Sequence, residues 1–198
     1  FLILFILLNN KMPRFFFKYS IILSLVLIFS ISPTIAGQND TRLNNLFERL
    51  RVTQDLAEAR GIEGTIWEIW TESENANVNR AMLIGIASMH AGQLGTALNK
   101  FNEVIQLAPD FAEGWNKRAT IFYLMKKFDR SVNDIAQTLK LEPRHFGALS
   151  GLGLINQAIG QNKAAIKAFE HALDLNPHLP GLKEKVTKMK KLEFGRKI

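Results

Sequence analysis

Residues 146–179 read FGALSGLGLINQAIGQNKAAIKAFEHALDLNPHL, and the placing of their proline decides the fold. Pro177 closes an apolar helical run in DLNP. Pro143 and Pro109 close equivalent runs at steps of 34 residues, in KLEP and QLAP. Proline cannot continue a helix ladder, so it suits the first position after a helix. A constant 34-residue period marks a repeat architecture of helical hairpins. Alignment on the prolines defines three units, 78–111, 112–145 and 146–179.

Within these units the chemistry agrees column by column. A small residue recurs at Gly85, Ala119 and Gly153, and a second small column holds Ala97, Ser131 and Ala165. Four residues after the latter stand Phe101, Ile135 and Phe169; Val104, Thr138 and Ala172 follow on the same face. Small residues set against bulky ones let two helices interlock at a short interaxial distance. Gly92-Gln93-Leu94-Gly95, Lys126-Lys127-Phe128-Asp129 and Gly160-Gln161-Asn162-Lys163 break each unit in the middle, and Asp129 is placed to cap the helix it precedes. Each unit reads as a helix A, a short turn and a helix B.

At these columns the sequence resembles the tetratricopeptide repeat, with its W-x2-L-G-x2-Y, A-x3-F-x2-A and P pattern. The third unit keeps Leu152, Gly153, Ala165, Phe169, Ala172 and Pro177. The first keeps Gly85, Ala97, Phe101 and Pro109; the second keeps Trp115, Ala119, Phe122 and Pro143 but puts Arg118 in the Leu column. The resemblance implies an all-α, right-handed superhelix of stacked antiparallel hairpins, and it extends to exported repeat proteins of Gram-negative bacteria.

Terminal units of such a stack need caps. Residues 180–198 read as a C-terminal capping helix and basic tail, with Leu182, Val186 and Met189 on one face. Residues 40–77 read as a degenerate N-terminal capping hairpin. Leu43, Leu46, Phe47 and Leu50 form one stripe, and Leu56, Ala59, Ile62, Ile66, Trp67 and Ile69 form another beyond a break at Thr53-Gln54-Asp55. Glu63 there occupies the small column.

Upstream, residues 12–36 have the form of a signal peptide. Arg14 and Lys18 precede a 13-residue apolar run, Tyr19–Ile31, and Pro33 precedes Thr34-Ile35-Ala36. Cleavage is expected after Ala36, giving a periplasmic or secreted protein. The alternative is an uncleaved inner-membrane anchor, for which the run falls short of the roughly 20 apolar residues that span a bilayer. The chain opens on Phe and its first methionine is Met12, so residues 1–11 read as upstream read-through or an extension.

The net charge of +7 is confined to the ends. Residues 183–198 carry seven basic groups against two acids, and residues 1–36 three against none. Between them 15 basic and 16 acidic groups nearly cancel. A nucleic-acid partner is therefore not expected, although the basic tail could make peripheral membrane contact. The chain has no cysteine and four histidines without metal-ligand spacing; His90 and His145 read as surface or capping residues. No nucleophile elbow, HExxH or Walker loop appears. The reading therefore assigns no enzyme, cofactor or metal.

What remains is binding of a protein or peptide, expected in the cell envelope. The resemblance implies that helix A positions 2, 5, 9 and 12 line a concave groove. They are Asn79, Met82, Ile86 and Met89; Glu113, Asn116, Thr120 and Tyr123; and Gly147, Ser150, Leu154 and Gln157, with Lys117 beside them. Methionine adapts its shape and tyrosine offers area with a polar tip, so an apolar helix or extended peptide fits this lining. The alternative is a self-assembling or membrane-associated module that uses its outer helices and basic tail. The peptide-carboxylate clamp of cytosolic co-chaperones in this family is not expected. Its five positions carry Met82, Ile86, Lys117, Gly147 and Gly151, a single cation.

Overall fold

The computed structural model describes residues 37–195. The expected signal segment 12–36 with its cleavage after Ala36, residues 1–11 and the last three residues lie outside them. The described residues are all helical. A 3-10 turn, Gly37–Asn39, leads into α1 (Arg42–Val52), α2 (Leu56–Thr71), α3 (Ala76–His90), α4 (Leu94–Leu107), α5 (Ala112–Leu124), α6 (Phe128–Leu141), α7 (Phe146–Ala158), α8 (Asn162–Leu175) and α9 (Leu182–Phe194). Helices α3/α4, α5/α6 and α7/α8 pair as hairpins, α4 packs on α5 and α6 on α7, and α9 closes the end against α8.

The small and bulky columns meet inside each hairpin. A Cβ on Gly85 would lie 2.6 Å from the Phe101 ring, and one on Gly153 would run into Phe169. In the second unit the hydroxyl of Ser131 donates to the Ala119 carbonyl at 2.7 Å. Arg118, the residue that breaks the Leu column, leaves the core: it forks onto Asp134 at 2.7 and 2.8 Å and reaches Asn102 of the preceding hairpin at 2.9 Å. A long planar cation thus ties two units together where a leucine would have packed in one.

Caps fall where the local chemistry allows. The Asp55 carboxylate accepts from the Ala57 and Glu58 amides, and Asn75 accepts from Asn77. Asp129 makes no such bond: α6 begins at Phe128, so Asp129 sits inside its first turn and acts only through its charge.

The largest departure from the sequence reading is the N-terminal hairpin. Helices α1 and α2 form on the expected stripes, but they do not stack in front of α3 as another repeat. They fold across the stack onto α7 and α8: Leu43, Phe47, Leu50, Ile62, Ile66, Ile69 and Trp70 share one core with Phe146, Leu149 and Ala172. The physical reason lies in two bulky indoles and Glu63, which have no place in a repeat seam but fit the open ends of the third unit. Glu63 accepts from Asn176 at 3.1 Å, and the His178 ring meets the Leu50 carbonyl at 3.1 Å.

Candidate functional site

Trp67 and Trp70 stand one turn apart on α2 and land on the N-terminal ends of the A helices. Trp67 packs edge-on against Phe146 at 5.4 Å, and Lys117 Nζ lies 5.4 Å from its ring centroid. Gly147 is what lets it in, because a Cβ there would sit 2.6 Å from the indole. The first two units carry Asn79 and Glu113 at that position, so the glycine is the sequence signal for this contact.

Beneath the indoles lies a closed polar cluster. His145 Nδ1 accepts the Ala148 amide at 3.1 Å, capping α7, so its Nε2 carries the proton and donates to Glu113 Oε2 at 2.8 Å. Asn116 donates to the same oxygen at 2.9 Å, and Lys117 Nζ stands 2.9 Å from the other. The side chains of Glu113 and His145 are both 0% exposed. Burial opposes the charge on Glu113, but the Lys117 ammonium and the His145 hydrogen bond outweigh it. The carboxyl is therefore held below its ordinary range. A carboxylate–imidazole pair can serve as a general base. Here it has no room for a substrate and works as a strut.

This arrangement divides the groove positions, with Gly147 already covered by Trp67. Met82 is a core residue of the first hairpin, beside Phe101 and Ile121, and Glu113 and Asn116 are buried in the cluster just described. These three are corrected from groove to interior, because hairpin packing and the docked α1–α2 remove them from solvent. Asn79 braces the loop before α3, accepting from the Ser73 amide at 2.8 Å and donating to its carbonyl at 2.7 Å. Lys117 is held by Glu113 and Trp67. Leu154 packs towards α9, and Gln157 accepts from Lys185 there at 3.3 Å. Ser150 is half-buried. Ile86, Met89, Thr120 and Tyr123 remain half-exposed together on the part of the groove nearest the A–B turns.

His145 takes the capping role, one of the two alternatives expected of it, and is fully buried. Lys117, the one cation at the clamp positions, is paired with Glu113 at 2.9 Å.

The tetratricopeptide-repeat family model matches residues 147–179, the third unit. A TPR repeat-containing protein of Rhizobium etli is 35% identical over 179 residues, covering 83% of this chain and 88% of that protein. Small glutamine-rich tetratricopeptide repeat-containing protein 2 of Saccharomyces cerevisiae is 26% identical over 139 residues; the match covers 70% of this chain but 40% of that longer protein. Among solved structures, the second TPR domain of human RPAP3, in complex with an HSP70 peptide, superposes with a TM-score of 0.53 at 20% identity, covering 58% of this chain and 96% of that one. At that identity the likeness is one of fold. The stacked hairpins, the 34-residue register and the bacterial relative that matches along most of its length agree: the chain belongs to the tetratricopeptide repeat proteins.

Proposed function

We propose that the protein is a non-catalytic interaction scaffold of the cell envelope that holds an apolar peptide or helix on the turn-side half of its groove. The observation that carries this is the division of the concave face. The α1–α2 hairpin closes the half at the A-helix starts, and Ile86, Met89, Thr120 and Tyr123 stay accessible on the other, an uncharged lining with one adaptable methionine and a tyrosine. The RPAP3 domain holds an HSP70 peptide, which supports peptide binding as a use of this fold. The lone, already paired Lys117 argues against a peptide carboxylate as the anchor. The envelope location is supported by the form of residues 12–36.

Capture of partners from envelope extract by wild type, Met89→Glu and Tyr123→Glu proteins tests the reading. Loss of one stoichiometric partner in both variants is expected; undiminished capture by both contradicts it. Cell fractionation tests the location separately, and recovery in the cytosol would remove that half of the proposal.

One observation favours a second reading, stacking on another repeat-bearing chain. The face of α3 that would receive a preceding unit is open, with Leu83 71% and Ile84 39% exposed. One unit later, the corresponding Lys117 is paired and Arg118 reaches back to Asn102. Sedimentation against concentration distinguishes this reading, since Leu83→Glu should abolish any self-association it mediates.

A further inference from the structure

The turn between α5 and α6 departs from the other two A–B turns in three ways at once. Gly92 and Gly160 turn their hairpins with φ of 72° and 78°, but the corresponding residue here is Lys126, the one non-glycine residue with positive φ among those described, at 57°. Lys127 stands where the other turns have Gln93 and Gln161, and Arg130 where they have Thr96 and Ala164. Three neutral positions in two repeats are thus three cations in the third. None of the three is ion-paired among the described residues.

The space beside this turn also differs from its counterpart. Lys126, Lys127, Phe128, Asp129, Arg130 and Val132 face Ile155 and Ile159 across a cavity of about 460 Å³. At the junction one repeat earlier, Met125 packs with Leu94 and Leu98 onto the core that holds Ile121, whereas here Phe128 and Val132 pack onto the core that holds Ile155 without a packed counterpart of Met125. Ile159 replaces Met125 in the register and is 48% exposed at the mouth of this recess, while Ile155 at its base is fully buried. A repeat protein supplies its own control, since each unit shows what the fold needs at that position. The other two units form the same turn without the cations. A left-handed lysine where glycine serves twice is a local strain of the kind that gathers at binding sites.

From this combination we infer a second interaction site, at the α5–α6 turn, for an acidic peptide segment that inserts one apolar side chain. The carboxylates complement Lys126, Lys127 and Arg130, which outnumber the single Asp129. The apolar side chain takes the floor of Phe128, Val132, Ile155 and Ile159. A peptide is favoured over an anionic lipid surface because the apolar part is a recess of side-chain size, which a flat headgroup layer would span without filling. The site adjoins the turn-side half of the groove, where Tyr123 packs on Phe128 with ring centroids 5.9 Å apart, but its three cations stand on the turn itself and the inference does not depend on the groove assignment.

Fluorescence anisotropy with a labelled acetyl-Glu-Glu-Leu-Phe-Glu-Glu amide and the purified protein tests the inference. The triple variant Lys126→Gly/Lys127→Gln/Arg130→Thr restores the residues of the first turn, and Ile159→Met restores the filling residue; both use solutions this fold already contains. Binding to the wild type is expected to weaken about tenfold or more in the triple variant, the sum of several modest charge contacts. It should also weaken in Ile159→Met, with unchanged helical circular dichroism in both. The inference is overturned if the peptide fails to bind the wild type up to about 1 mM, or if the triple variant binds it equally. Equal binding of the Gln-for-Glu peptide overturns it as well. So does cation-dependent binding to phosphatidylglycerol vesicles without binding to the peptide, which would make the turn a lipid contact.

Discussion

Trp70 lies flat on His145, with ring centroids 4.2 Å apart and planes 11° from parallel. The pair joins two levels of the molecule. His145 caps α7 and holds Glu113, while Trp70 belongs to a hairpin 75 residues earlier in the chain. Its indole is 1% exposed, and its N–H has no partner among the described residues.

Truncation and trimming of this indole should therefore part company. Trp70→Ala opens a large cavity and is expected to cost about 3–5 kcal/mol. Trp70→Phe keeps most of the packing and removes an unsatisfied donor, so its cost should stay below about 1.5 kcal/mol. Urea denaturation reads both. Limited proteolysis of Trp70→Ala should cut α1–α2 before the repeats.

The Glu113 strut makes stability depend on acid. Its carboxyl is held below the ordinary value of 4.5 because Lys117 and His145 outweigh the cost of burying the charge. A depressed carboxyl contributes stability that is fully present above the unfolded-state value and is lost as pH falls through the folded one. Denaturation midpoints should thus fall below about pH 4.5 in the wild type and fall less in Glu113→Gln. At neutral pH that variant should cost about 1–3 kcal/mol, the order expected when a buried charged partner is lost.

Close packing at the small column gives a paired prediction. Gly153→Ala forces the Phe169 ring aside and should destabilise by about 1–3 kcal/mol. Adding Phe169→Leu should recover part of that loss rather than add its own in full, because the two side chains occupy one space. Gly147→Val acts elsewhere: it strikes Trp67, so it should loosen the hairpin while leaving the three repeats folded, as hydrogen exchange by segment would show.

Lys126→Gly should raise stability by about 0.5–1 kcal/mol, since it relieves a left-handed side chain. Thermal unfolding checks the sign without any ligand present.

How far the sequence was legible follows from what each residue answers to. The repeats were readable because Gly85, Phe101, Gly153 and Phe169 answer only to their own hairpin, and the prolines mark its end. The place of α1–α2 was not, because both stripes of an amphipathic hairpin read the same whatever surface they cover. Only Gly147 hinted at the answer, and its meaning depends on Trp67, 80 residues away. The groove positions were half legible for the same reason. Met82 and Glu113 occupy the right columns, but Met82 packs into the core of its own hairpin and Glu113 is buried against His145 of the next repeat boundary. His145 shows the limit most plainly, since a residue after a proline suggests a cap and says nothing of an indole above it.

That the α1–α2 hairpin closes one half of the groove and leaves the other for a partner is open to direct test. Site-specific photocrosslinking in cells tests it most directly, with the crosslinker placed in turn at Thr120, Tyr123, Ser150 and, on the outer helix α6, the exposed Gln137. One discrete protein adduct is expected from Thr120 and Tyr123 and none from Gln137. Adducts that arise equally from Gln137, or none from Thr120 and Tyr123 while the partner is still captured, would contradict it.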